Sequence, residues 1–450
     1  MNSMTKGTPW VHILKFSMPV LLGLLLQQLY NTVDAIVVGR FAGEASLSAV
    51  GTTGSFSYLF LAIATGFASG CGVVIAQYFG AENEKQVKQS AGTGILFLMV
   101  LGVVSSIISI VVSRPAYSHL VHVPDDFLEL TLVYFRIYSL GLIFQFGYNI
   151  FSSVLRAIGD SAATLYFLLI SSVINIILDI IFVAGFNWGV AGAAVATVIS
   201  QAASFIAAYF YMRIKYPIFR FTLSDYKWNN KIIIKTIKIG LPMTLQLAVI
   251  SIGLTLIQRA VNEFGQVMTA SFTVGQRMEM YLNLPCNAFQ TTLATYTGQN
   301  IGAGKIDRVK SGAKQTVLIS LIMTVLISII VWFSADMIIE LFGLGPEAAK
   351  YCLAHIRAVA LINIVLSVYV PIFGLFQGAG YSILPMVVAT CALFVRVSVT
   401  YLLRYSPFLG HTIVWWNGIF GYGVGFTITW SFYLSGLWSR NKNINLTDDL

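Results

Sequence analysis

The stretch GLLLQQLYNTVDAIVVG, Gly23 to Gly39, decides how this chain is read. Its Gln27, Tyr30, Asn31 and Asp34 stand at i, i+3, i+4 and i+7, a spacing that aligns them along one stripe of a helix. The remaining faces are dominated by Leu, Val and Ile. A carboxylate at the middle of a bilayer costs about 2.5–3.5 kcal/mol on insertion scales, so the stripe must face protein or a water-filled cavity. A single polar residue there reads equally well as glue between helices. An aligned Gln, Tyr, Asn and Asp points instead to a site.

Working outward, 57% of the 450 residues are hydrophobic, 10% are charged, and the mean hydropathy is +0.79. A soluble domain carries about 25% charged residues, so the chain reads as an integral membrane protein. The net charge of +9 sits in short loops between apolar runs, which fits the positive-inside rule and not nucleic-acid binding. Cys71, Cys286, Cys352 and Cys391 lie apart in apolar surroundings, without CxxC spacing, and read as small buried hydrophobes. No short apolar segment with a small-residue cleavage site stands at the N-terminus, so the first run is expected to be a retained span.

Apolar segments of span length occur near 12–38, 47–79, 91–113, 128–152, 162–185 and 189–212, then 234–262, 268–297, 312–334, 350–375, 383–404 and 412–438. A polar loop is expected over His119 to Glu129. The connector from Arg213 to Lys238 holds Arg213, Lys215, Arg220, Lys227, Lys231, Lys235 and Lys238 against one acid, Asp225. Lys85, Lys88, Lys305, Arg308, Lys310, Lys314, Arg440 and Lys442 fall on the same side, which predicts that both termini are cytoplasmic.

The chain also repeats itself. KFSMP at Lys15 returns as KIGLP at Lys238, an offset of 223; GAENEKQVK at Gly80 returns as GAGKIDRVK at Gly302, an offset of 222; LRAIGD at Leu155 returns as FQGAGY at Phe376, an offset of 221. Three matches at offsets within two residues of one another predict two six-helix lobes, 1–212 and 239–450, joined by the basic connector 213–238. The expected fold is an all-α membrane protein of twelve transmembrane helices. Its lobes are expected to be related by a pseudo-twofold axis near the membrane normal, with a cavity between them. The alignment sets Asp34 against Ile257, Asn175 against Arg396 and Asp179 against Thr400, so the acid chemistry belongs to the first lobe alone.

In the fifth segment, Asn175 and Asp179 share a helix face at i, i+4. The sixth offers Thr197 and, a turn earlier, Ala193. With Asp34 they supply two carboxylates, an amide oxygen, a hydroxyl and a backbone carbonyl, oxygen ligands of the kind Na⁺ takes. Two adjacent carboxylates also suit H⁺. Helix-to-helix hydrogen bonding is the structural alternative for Asn175 and Asp179. Arg277, Glu279 and Arg396 read as structural, and Arg156 and Asp160 as a local ion pair across a cytoplasmic turn. Pro19, Pro242 and Pro285 are expected to interrupt spans. Gly66 and Gly70 form a GxxxG for close helix contact.

QQLYNTVDAIVVGRFAG, ATGFASG, AQYFGAEN, RAIGDS and TGQNIGAG together resemble the multidrug and toxic compound extrusion (MATE) family over essentially the whole length. The similarity is greatest to the branch of the DNA-damage-inducible protein F homologues. That resemblance implies a MATE-like fold and a first-lobe cation site at Asp34, Asn175, Asp179 and Thr197, with the Ala193 carbonyl as a further ligand. It also implies a substrate cavity lined by Gln27, Tyr30 and Tyr134, with Asn31 of the same stripe beside them. Acids that other branches carry on spans seven and ten have no clear counterpart, which puts a second-lobe cation site in doubt.

The expected function is multidrug efflux, a secondary antiport of amphipathic or cationic organic compounds against Na⁺ or H⁺ by alternating access. The protein is expected in the cell membrane as a monomer, with no cofactor beyond the coupling ion and no nucleic-acid partner. A lipid-linked-precursor flippase of the same superfamily is the alternative, and a channel fits the two-lobe repeat less well. The five histidines are scattered and no HExxH or GxSxG stands in the chain, so an enzyme is not expected.

Overall fold

The computed structural model describes residues Ser3 to Arg440. Lys442, one of the basic residues expected after the last span, lies outside them. Among the described residues the chain is helical and contains no strand. Seven helices make the first half: α1 (Pro9–Ala42), α2 (Glu44–Gly80), α3 (Glu84–Pro115), α4 (Asp125–Leu140), α5 (Leu142–Ala157), α6 (Ser161–Asp179) and α7 (Gly189–Lys215). The second half holds α8 (Asn230–Asn262), α9 (Gln266–Gly302), α10 (Ile306–Leu341), α11 (Pro346–Gly378), α12 (Ile383–Leu403) and α13 (Ile413–Ser435). Nine of these are long and apolar enough to cross a membrane, and α4 with α5, bent by 44°, makes a tenth. Among the described residues, α9 and α13 have span length but carry too many polar or aromatic residues to meet the same test.

The membrane reading is strongest in how α3 is sided. Ser90, Gly94, Gly102, Ser105, Ser109 and Ser113 are buried, while Val and Ile face outward, Val111 to 71%. The corresponding helix α10 does the same, burying Gly312, Thr316, Ser320, Thr324 and Ser328 and exposing Phe333 to 81%. In water such faces would be reversed. In lipid, small residues belong at the helix contacts and branched apolar ones on the outside.

The repeat is visible in the backbone. Gly43 and Gly265 precede α2 and α9 with φ of 86° and 90°, and Gly159 and Gly380 close the following turns with φ of 90° and 83°. A side chain at any of the four would be strained, so the same turn demands the same residue in both halves. Contact clustering separates two compact units. One gathers Met18–Thr244 and the other Met4–Ser17 with Leu245–Leu450, so the first turns of α1 and α8 are each assigned apart from the rest of their helix. The sequence boundaries, drawn at 212 and 239, carry no trace of that exchange.

Several local expectations change. His119 to Glu129 is not one loop: a π-helical turn runs over Ala116–Leu120 and α4 begins at Asp125. The fourth span is broken at Gly141, where an added Cβ would come within 2.8 Å of Val198 Cγ2 on α7. Pro19, Pro242 and Pro285 do not interrupt their helices, since α1, α8 and α9 each continue through them. Asp160 does not pair with Arg156. It caps α6 at Ala163 N and accepts from Lys215 Nζ at 3.0 Å, Tyr211 at 2.8 Å and Tyr216 at 2.6 Å. Burial works against its ionised form, but those three donors outweigh it and hold the carboxyl below the usual carboxylate range.

The GxxxG expectation is met closely. A Cβ at Gly70 would lie 2.7 Å from Gly240 N and from Thr236 O, and one at Gly66 would press on Thr244. Gly70→Val should therefore destabilise the first unit by about 1–3 kcal/mol, read as a lower melting temperature of detergent-solubilised protein; an unchanged melt contradicts the packing.

The connector is tied down by Asp225. Its carboxylate accepts from Thr222 N at 2.8 Å and meets Lys88 Nζ at 2.9 Å. The Thr222 amide, then Lys88, hold that carboxyl down to about 2, below the ordinary value of an unfolded chain. A depressed carboxyl stabilises above its unfolded value and loses that contribution as pH falls through the folded one. Pepsin should thus cut the 219–226 segment increasingly fast from about pH 4 to about pH 2, and Asp225→Asn should abolish the protection at the upper end.

Candidate functional site

The polar stripe of α1 is placed by a helix contact that begins a long way from it. Gly23 packs on α6, where an added Cβ would meet Leu168 Cδ1 at 3.0 Å. Asp34 lies eleven residues beyond Gly23, and Asp179 lies eleven residues beyond Leu168. Two helices running parallel with one constant offset bring those positions together about 16 Å further along. The outer end of α1 is held by Val37 and Val38, which are buried in a cluster with Leu132, Phe135 and Phe146.

Asp34 and Asp179 lie close enough for their carboxyls to interact electrostatically. Among the described residues no protein donor reaches Asp34 Oδ1, either oxygen of Asp179, or either side-chain atom of Asn175, and all of these atoms are buried. Asn175 and Asp179 are 1% and 0% exposed, so water does not replace the missing partners from the surface. Leaving one buried polar atom unpaired costs about 1–3 kcal/mol, and more for a charge. Asp179 is also the last residue of α6 before the helix widens into a π turn over Ile180–Gly185, a distortion that recurs at functional positions.

Thr197 and Ala193 behave differently. Thr197 Oγ1 donates to the Ala193 carbonyl at 3.0 Å on α7, which packs against α6. No contact between Thr197 and either carboxyl is evident among the described residues. The hydroxyl oxygen keeps its lone pairs, while the carbonyl has one acceptor position already used.

Tyr30 and Tyr134 lie within electrostatic reach of both carboxyls. Gln27 is half-buried and Asn31 is exposed. Tyr138 was not anticipated. It stacks on Tyr134 with ring centroids 6.4 Å apart and an interplanar angle of 7°, and its hydroxyl donates to Gln145 Oε1 at 3.3 Å. The i, i+4 spacing of Tyr134 and Tyr138 was legible in the sequence; that their shared face turns toward Asp34 was not. The site thus has an acidic end and an aromatic wall. Its unpaired oxygens suit a small hard cation or a proton.

The chain's likeness to other proteins bears on this arrangement. The family model described as MatE matches residues 19–181 and again 242–402, one match in each half. The "Probable multidrug resistance protein YpnP" of Bacillus subtilis is 28% identical over 445 residues, covering 97% of this chain and 98% of that protein. The "Multidrug export protein MepA" of Staphylococcus saprophyticus is 23% identical over 338 residues, covering 75% of this chain and 74% of its own. Among solved structures, an outward-facing multidrug resistance MATE family transporter of the MOP superfamily superposes with a TM-score of 0.91 at 22% identity, over 97% of this chain and 98% of that one. At that identity the likeness shows the fold alone.

Asp179→Asn should raise the melting temperature of purified protein in sodium-free buffer, because it removes a buried charge that no protein group neutralises. Added NaCl, or acidification, should stabilise the native protein and leave the variant unmoved. A variant that still responds would separate Asp179 from the cation.

Proposed function

This chain belongs to the MATE family of membrane transporters, which are not enzymes, and from that premise we propose that it is a multidrug exporter. It expels amphipathic or cationic organic compounds in exchange for Na⁺ or H⁺ by alternating access. The observation that carries the reading is the pair Asp34–Asp179, in which Asp34 Oδ1 and both Asp179 oxygens are buried without a protein donor. Asp34, Asn175 and Asp179 form the core of the cation site, and Thr197 with the Ala193 carbonyl completes its oxygen set.

The cycle follows from charge. With neither proton nor cation the two carboxylates repel, α1 separates from α6, and the tyrosine wall opens. An organic cation enters against Tyr30 and Tyr134, whose ring faces attract positive charge, while Gln27 and Asn31 line the way in. When Na⁺ or H⁺ reaches the carboxyls from outside, it neutralises them and draws α1 back on α6. The volume and the charge that held the substrate are then lost together, so cation and substrate exclude one another. Exchange needs no covalent step and no resident cofactor.

The same proposal sets the protein in the cell membrane as a monomer with both termini cytoplasmic. On that side Asp160, Lys215 and Asp225 tie the connector to the ends of the helices. The oxygen set is that of the branch resembling the DNA-damage-inducible protein F homologues.

Asp34→Asn should reduce efflux of a fluorescent organic cation from reconstituted liposomes to the background of empty vesicles, under a Na⁺ gradient and a pH gradient imposed separately. Unchanged transport with unchanged ion dependence would refute the proposal.

A further inference from the structure

The half of the chain without the acidic pair has a buried polar cluster of its own, and the exchange mechanism makes no use of it. Arg396 lies on α12 at the repeat position of Asn175, and Thr400 at that of Asp179, both with an offset of 221 residues. The second-half counterpart of the cation site therefore contains a guanidinium. Its surroundings are oxygens. Arg396 Nε donates to Asn417 Oδ1 at 2.7 Å and Nη1 to Tyr422 Oη at 2.9 Å, while Nη2 stands 3.9 Å from Glu279 Oε1. Tyr422 in turn donates to Glu279 at 3.0 Å. A carboxylate, an amide oxygen and a hydroxyl surround the guanidinium, the same three kinds of group that the first half offers an exchangeable ion.

Glu279 comes from α9, and Arg396 and Glu279 are only 11% and 12% exposed. Leaving either charge alone at that depth is unfavourable. Beside them lies a cavity of about 10 Å³, bordered by His355 and Asn363. Both residues are buried to within 1% of full burial, and His355 Nδ1 and both side-chain atoms of Asn363 lack partners. The site therefore has room for about one water-sized ligand, bordered by residues with unpartnered polar atoms.

We propose that Arg396 is a tethered cation that occupies, in the second half, the place of the exchangeable cation of the first, leaving that half permanently loaded. This rests on the reading of Asp34 and Asp179 as the exchange site. It accounts for a duplicated fold that couples through one half only: where the cation cannot leave, no cycle of charge and neutralisation can occur. Removing the guanidinium should uncover a second cation site at Glu279.

Equilibrium binding of radioactive sodium to the purified full-length protein, with proton uptake measured in parallel in sodium-free solution, tests both layers. Native protein should bind one cation and Asp34→Asn none; failure of that pair overturns the exchange-site reading. Arg396→Asn should add one site in either background, and Glu279→Gln should take the added site away again. Arg396→Lys, which keeps the tethered charge, should add none. A folded Arg396→Asn that gains no cation, or a gain that survives Glu279→Gln, overturns the assignment of Arg396 whatever Asp34 does. Should Arg396→Asn fold poorly, Arg396→Ala is melted in guanidinium chloride at low millimolar concentration, NaCl or KCl. Stabilisation by guanidinium or sodium beyond that by potassium supports the tethered-cation role, and equal melts in all three salts reject it.

Discussion

Two carboxyls pressed together inside an apolar helical bundle set the terms for the rest of the first half. Asp34 Oδ1 and both oxygens of Asp179 are buried without a protein donor, so the pair is costly to keep doubly charged. In lipid neither helix can turn its acid outward, because the bilayer would charge more for the carboxylate than the bundle does. Gly23 of α1 packs on Leu168 of α6, eleven residues before the acid on each helix.

Around that pair, the duplicated backbone carries unlike chemistry. Gly43 with Gly265, and Gly159 with Gly380, keep the turns equivalent in both halves, and α3 and α10 bury the same small-residue face. Side chains then diverge at the level of the site. One half holds two acids; the other holds an acid with an arginine, bonded to Asn417 and Tyr422. The scaffold is symmetric where helix packing and turn geometry demand it, and asymmetric where an ion would sit.

Outside the membrane the anchoring is of another kind. Arg308, in the first turn of α10, donates to Gly7 O at 2.7 Å and Met4 O at 2.9 Å, and Asn300 of the preceding helix also bonds the Met4 carbonyl, at 3.4 Å. On the first half, Thr93 donates to Lys227 O at 2.9 Å and Lys88 pairs with Asp225. The segment leading into each half's first helix is thus fastened by side chains near the start of a third-span helix. Polar contacts of this sort work at the water-facing ends, while the spans between rely on close packing.

Membrane residence, the number of repeats and the carriers of charge were legible in the sequence. Hydropathy, the positive-inside pattern and a nearly constant repeat offset are properties of the chain that do not depend on which helix touches which. The stripe at Gln27, Tyr30 and Asp34 could likewise be read, because lipid leaves a carboxylate few places to be. Tertiary structure alone decided the partners. The sequence could not tell that Asp160 would choose Lys215 over its neighbour Arg156, or that Gly141 would break the fourth span to admit α7. Nor could it bring Glu279 on α9 to Arg396 on α12. Periodicity specifies which face a residue occupies; what that face meets depends on helices far away in the chain.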